Sequence, residues 1–190
     1  MSSKMMNVVV LLFLGIEAAA QPSGPGVGQQ LAPPKTKLET FAAQTGVVII
    51  EGYSKVGTIR GRYGSVEIQA KEFLNAASGK KEKGITFEVT EAGRLERESR
   101  SFIDYDEIDS LLKGVDYVAK IDKSATKLDA FEAEYRTRGD LEISTFSSDT
   151  GVEAAVKSGR IGGATAFLSL EHLQQLRALI VDAKTKLDAL

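Results

Sequence analysis

The sequence predicts an α+β fold, in which an antiparallel β-meander of about four strands followed by a C-terminal helix is duplicated to form one pseudo-symmetric domain. Three observations predict it. Apolar residues alternate with polar ones at period two through much of residues 47–103 and again through 131–168, the pattern of half-buried strands. Each stretch runs directly into a segment with helical apolar spacing: Ile108, Leu111, Leu112, Val115 and Val118 in the first, and Leu170, Leu173, Leu176, Ile180, Ala183 and Leu187 in the second. The copies also align. With Phe102 laid on Phe167 the helices match without a gap, so that Ile103 meets Leu168, Ile108 meets Leu173, Leu111 meets Leu176 and Val115 meets Ile180.

Taken in order, Lys37 to Gln44 (KLETFAAQ) reads as a short helix closed by Gly46. Val47 to Tyr53 (VVIIEGY) is a continuous β-branched run, expected as a buried strand, and Val56 to Arg62 follows after a polar break. A turn at Tyr63-Gly64-Ser65 leads to the alternating Val66, Ile68 and Ala70, then a lysine-rich loop over Asn75–Lys83. Ile85, Phe87 and Val89 alternate; Ala92-Gly93 turns; Arg94 to Ile103 returns as a charged strand whose outer face must be wet or partnered. Asp104 stands at an N-cap position with Glu107 three residues on, a capping-box spacing. Gly114 lies inside the helix that follows, at a cost of about 1 kcal/mol relative to alanine, and allows close approach of a neighbouring element.

The second copy repeats the order. Phe131, Ala133 and Tyr135 alternate, then Leu141, Ile143 and Thr145, then Val152, Ala154 and Val156; Arg160 to Leu168 is the last strand, and Ser169 opens the closing helix. Val66-Glu67-Ile68 matches Leu141-Glu142-Ile143, and the additional residues of the first copy are expected in the loop around Asn75–Lys83, where insertion is cheap. The domain is thus expected over 35–190, with repeats at about 46–122 and 129–190. Either both sheets flank a pair of helices, or each helix lies across the sheet of the other copy.

The N-terminus has a separate grammar. Lys4, the apolar run Val8–Ile16 and the small residues Ala18-Ala19-Ala20 read as a secretory signal peptide over 1–20, cleaved before Gln21. The run is too short to span a bilayer, so no transmembrane segment is expected in the mature chain. Gln21–Pro34 (QPSGPGVGQQLAPP) holds all four prolines and reads as a flexible spacer. A bacterial periplasmic or secreted location follows. Cysteine is absent, which excludes disulfides, thiol catalysis and cysteine–metal sites. The net charge of −2 gives no global basic field for nucleic acid or anionic membranes.

Four strands then a helix, duplicated, resembles the PUR repeat and, more distantly, the Whirly and PC4-like single-stranded nucleic-acid-binding folds. The resemblance covers roughly residues 46–190 and lies in the order of elements. The FIDYDEI stretch at 102–108 is also similar to uncharacterised exported bacterial proteins. The PUR and Whirly resemblance implies binding of single-stranded nucleic acid, although those families are not exported and carry more basic and aromatic sheet faces.

Candidate sites are few. Arg60, Arg62, Arg94, Arg97, Arg100, Arg136, Arg138 and Arg160 lie on strands or turns with Tyr53, Tyr63 and Tyr135. They either form a basic, aromatic face able to stack bases or pair with the interleaved glutamates 67, 96, 98, 132, 134 and 142 on a solvated face. The acidic cluster Asp104, Asp106, Glu107 and Asp109 lacks the spacing and turn glycine of a calcium loop and reads as capping and favourable dipole charge. His172, the single histidine, has no nearby serine and suits a cap-proximal role. No catalytic residue, cofactor or metal is expected. The reading that follows is a non-enzymatic binding or structural protein that presents sheet surface to a protein or envelope partner and pairs with itself through sheet edges. The alternatives are single-stranded nucleic-acid binding and, more remotely, a hydrolase using the Asp104–Asp109 carboxylates.

Overall fold

The computed structural model describes residues 35–190; the expected signal peptide and spacer lie outside the described residues. A short helix α1 (Lys37–Ala42) precedes the meander β1 (Ile49–Gly61), β2 (Gly64–Asn75), β3 (Lys81–Glu91) and β4 (Arg97–Asp104), and α2 (Ile108–Val118) follows it. The second meander is β5 (Glu132–Arg136), β6 (Leu141–Ser148), β7 (Gly151–Ser158) and β8 (Ala164–Leu168), closed by α3 (Leu170–Asp188). Each meander is one antiparallel four-stranded sheet in sequential order.

The registers place the repeats in correspondence. Ile68 pairs with Phe87 and Phe87 with Ser101 in the first sheet; Ile143 pairs with Val156 and Val156 with Ala166 in the second. Against this frame the additional residues of the first copy are not confined to one loop. They lengthen the hairpin strands, since β2 has 12 residues against 8 in β6, and β3 has 11 against 8 in β7. Residues 76–80 alone connect β2 to β3.

The helices are exchanged. α3 lies across β1, β2 and β3, while α2 lies across β5 and β6, and the two helices touch each other. Side chains mark both crossings. Leu179 of α3 sits where a Cβ on Gly57 would lie 2.6 Å away, and the Tyr135 ring fills the space beside Gly114 of α2. The C-terminal turn of each helix is satisfied by the sheet it covers: Lys83 Nζ donates to Leu187 O at 2.6 Å, and Thr145 Oγ1 donates to Val118 O at 2.9 Å, so carbonyls orphaned by the helix end find donors. Arg177 and Lys184 of α3 pair with Asp116 and Asp109 of α2.

All inward positions drain into one core, from Ile59, Val66 and Ile68 through Phe87 and Ile103 to Leu141, Ile143, Leu173, Leu176 and Ile180. Each such aliphatic side chain contributes about 1.5–3 kcal/mol on burial. The sheets meet where β8 crosses the β1–β2 hairpin: Arg62 N donates to Phe167 O at 3.0 Å, and a Cβ on Gly61 would overlap that same carbonyl. A hydroxyl chain crosses the joint, with Ser101 Oγ 2.8 Å from Ser158 Oγ, which donates to Ser99 Oγ at 3.1 Å. No described buried side-chain polar atom lacks a partner. No described helix is long and apolar enough to cross a membrane.

Two local expectations are corrected. Val47–Tyr53 is not a buried strand: Val47 and Val48 precede the strand, Ile49–Tyr53 belongs to a single long β1, bulged between Lys55 and Gly57, at the edge of the first sheet, and Val48, Ile50 and Tyr53 are 67%, 51% and 69% exposed. A β-branched run signals a strand but not its neighbours: Ile50 is on the inner face beyond the end of α3, and Tyr53 is on the outer face, which α3 does not cover. Asp104 and Glu107 do not cap α2 either, because neither side chain bonds its first turn. Ser169 does cap α3, with His172 returning the bond to the Ser169 N–H, the cap-proximal role read from the sequence.

Candidate functional site

Asp104 is used elsewhere. Its buried carboxylate accepts from the N–H groups of Lys37 and Leu38 at 3.0 and 3.1 Å, so it binds the first turn of α1 from across the sheet. Glu107 accepts from the backbone N–H of Arg138 at 2.8 Å and from its Nε at 3.2 Å. Arg138 also reaches Asp106 at 2.8 Å, and Lys37 Nζ donates to the same carboxylate at 2.9 Å. The adjoining Asp140 holds Lys35 on one side and Arg160, at 2.9 Å, on the other. The acidic cluster is therefore a charged clasp joining α1, the start of α2 and the β5–β6 and β7–β8 turns.

Its titration follows from those contacts. The Lys37 and Arg138 hydrogen bonds hold the Asp106 carboxyl below its ordinary range. Burial pushes Asp140 upward, but Lys35 and Arg160 together outweigh it and bring it down. Arg138 is raised by the Asp106 and Glu107 carboxylates it binds. The directions agree with ion pairing: the carboxylates are lowered and the guanidinium raised, each toward its charged form. Among the described residues no three His, Asp or Glu side chains are grouped to hold a metal ion.

The arginines are spread over several places. Arg60 lies at the end of β1 on the outer face of the first sheet, and Arg62 and Tyr63 form the β1–β2 turn, with the guanidinium 5.7 Å from the ring centroid. Arg94 lies in the β3–β4 connection, and Arg97 pairs with Glu91 at 2.5 Å. Arg136, on the outer face of the second sheet, pairs with Glu142 at 2.5 Å and Glu134 at 3.4 Å. Arg138 and Arg160 belong to the clasp. Arg60, Arg62 and Tyr63 come together; the others are separated by sheet and by face, and Arg97, Arg136, Arg138 and Arg160 have carboxylate partners.

A different surface emerges from the comparison of outer faces. On the first sheet Phe102 and Phe73 lie under α1, whose Leu38 and Phe41 complete a small second core; the Phe41 and Phe73 rings are 6.3 Å apart and Phe73 and Phe102 6.4 Å. On the second sheet Phe167 occupies the place of Phe102, and no described helix covers it. Phe167 is 37% exposed and meets Phe146 edge to face at 6.3 Å. Between them the small residues Ser144 and Ala155 leave a shallow open groove of about 560 Å³, with Phe131 and Lys157 on its margin. Sequence reasoning passed over this face, although a signal was present. With Ala164, Ala166 and Leu168 inward, Phe167 can only point out.

The chain matches no protein-family model, no curated protein and no solved structure.

Proposed function

We propose that this is an exported bacterial, non-enzymatic binding or structural protein that presents the outer face of its second sheet to a protein or envelope partner in the periplasm or outside the cell. The carrying observation is the exposure of Phe167 at the place where Phe102 is covered by α1. The first repeat supplies the template for an occupant: a short amphipathic helix offering two apolar side chains three residues apart, like Leu38 and Phe41. Glu132 and Glu153 at the edge of the groove favour a partner with basic flanks, Glu142 being taken by Arg136. Self-association through a sheet edge is part of the same reading.

The test is a photo-crosslinking residue at position 167 in cells expressing the whole chain, with position 102 as control. Adducts to one protein at 167 and not at 102, lost when Phe146 is replaced by Glu, are expected; no adduct at 167 would overturn the groove. Phe167→Glu itself should cost only about 1 kcal/mol of stability, the worth of its edge-to-face contact with Phe146.

The PUR/Whirly-type alternative is favoured by one observation, the grouping of Arg60, Arg62 and Tyr63 at one end of the first sheet. The ion pairs of Arg97, Arg136, Arg138 and Arg160 weigh against a continuous phosphate track. Fluorescence anisotropy with single-stranded DNA and RNA decides it: binding that weakens steeply with salt and is lost in Arg62→Ala/Tyr63→Ala would replace the protein-partner reading.

A further inference from the structure

Each sheet has two edges, and three of the four are protected. β8 crosses onto the first sheet, β5 is only five residues long and carries Glu132, Glu134 and Arg136, and β4 carries Arg97, Glu98 and Arg100 over its first half. Short length and charge are the usual means of keeping an edge unpaired. β1 has neither. It runs 13 residues, its flat part Ile49–Lys55 precedes the bulge, and no described strand pairs with its outer side.

We infer that two copies of this chain join through β1, antiparallel about a two-fold axis at Tyr53, to form a continuous eight-stranded sheet. Charge selects this register. Glu51, Tyr53 and Lys55 share the outer face, the face of Lys71. With Tyr53 opposite Tyr53 of the second copy, Glu51 stands opposite Lys55 in both directions. An axis at Glu51 or at Lys55 would set like charges against each other, and an axis at Gly52 or Ser54 would leave both charges facing uncharged residues. On the other face the same register places Ile50 opposite Val56.

The monomer already carries half of the resulting ladder. Lys55 Nζ pairs with Glu67 at 2.5 Å, and Glu51 pairs with Lys71. The Lys71 side chain is only 5% exposed, whereas its partner Glu51 is 41% exposed. Across the axis the row becomes Glu67, Lys55, Glu51, Lys71, alternating in sign through both copies, and the open side of Glu51 is closed. Lys71 lies 5.7 Å from the Tyr53 ring centroid, so pairing the two tyrosines extends an existing cation–aromatic contact.

This inference rests on the reading of sheet edges as interaction surfaces and is independent of the groove. The protein, purified as cells make it and with its N-terminus read by intact mass, is measured by light scattering over a dilution series. The mass should move between one and two chains with concentration. Tyr53→Lys, which sets ammonium groups face to face, should raise the dissociation constant at least about tenfold. Because the chain has no cysteine, Tyr53→Cys tests the register directly: mild oxidation should give disulfide-linked dimer much faster than with Ile50→Cys, whose counterpart is Val56. A single-chain mass throughout, a dimer indifferent to Tyr53→Lys, or equal crosslinking at both positions overturns it. A monomer that still crosslinks a partner at 167 would remove the edge and leave the groove; a Tyr53-dependent dimer without adducts at 167 would do the reverse.

Discussion

Gly114 of α2 and Leu179 of α3 occupy equivalent places in the two repeats, and so do the strand residues they meet, Tyr135 of β5 and Gly57 of β1. In one repeat's sheet the strand supplies the bulk and the helix the gap; in the other the roles are reversed. The backbone symmetry is retained while side-chain volume has moved across the layer, because close packing constrains the sum at a contact and not either residue alone. The same exchange is visible at the strand–helix junctions. Ser169 caps its own helix, whereas Asp104, at the equivalent place, has been given to α1.

The largest expected effect comes from breaking that balance. Gly114→Leu drives a side chain into the Tyr135 ring and should cost about 3 kcal/mol in urea unfolding, at the upper end of overpacking. Adding Tyr135→Gly re-creates the first sheet's arrangement in the second and should recover at least half of the loss. If the double variant is as unstable as the sum of the singles, the two contacts are not interchangeable.

Next come the caps. Asp104→Ala removes a buried carboxylate from two N–H donors and should cost about 2–3 kcal/mol, with dye binding to the uncovered Phe73 and Phe102. Ser169→Ala should cost only about 1 kcal/mol and expose nothing. Equal losses would mean that Asp104 serves an ordinary cap.

The smallest effect is on pH. The folded-state carboxyl of Asp106 is lowered by Lys37 and Arg138, so its contribution is fully present above the ordinary carboxylate range and is lost as pH falls through the depressed value. The side chain is 52% exposed, and solvent keeps the contribution small. Lys37→Met should therefore be slightly destabilised at pH 7, and its deficit relative to the parent should shrink steadily below about pH 4. A deficit that is constant or grows toward acid would contradict the clasp.

The meanders, both longer helices and their apolar stripes were legible because periods of two and 3.6 are local properties. Leu111, Val115, Leu173 and Ile180 are buried as their spacing requires. What was not legible depends on partners distant in sequence. The helix exchange requires knowing that Lys83 meets Leu187. The destination of Asp104 lies 66 residues away at Leu38, and no local pattern distinguishes it from an N-cap. The exposure of Ile50 reflects where α3 ends, not anything in VVIIEGY. The arginines show the same limit, since alternating signs along a strand identify charged positions but leave open whether a carboxylate or a ligand stands opposite. The outward Phe102 and Phe167 could have been assigned from parity, but which of them α1 would cover could not.

The exchange of helices also has a consequence in time. The first sheet is complete by residue 104, yet the helix that seals its inner face spans residues 170–188, synthesised only after the whole second meander. Until then Ile59, Ile68 and Phe87 have no cover, and the contacts that provide it span about a hundred residues. Such non-local closure slows folding and makes it conditional on the whole chain being present. A chain stopped after β8 should not yield a stable first repeat with a frayed end; it should leave the first sheet open on its inner face, while α2, already made, can still cover the second.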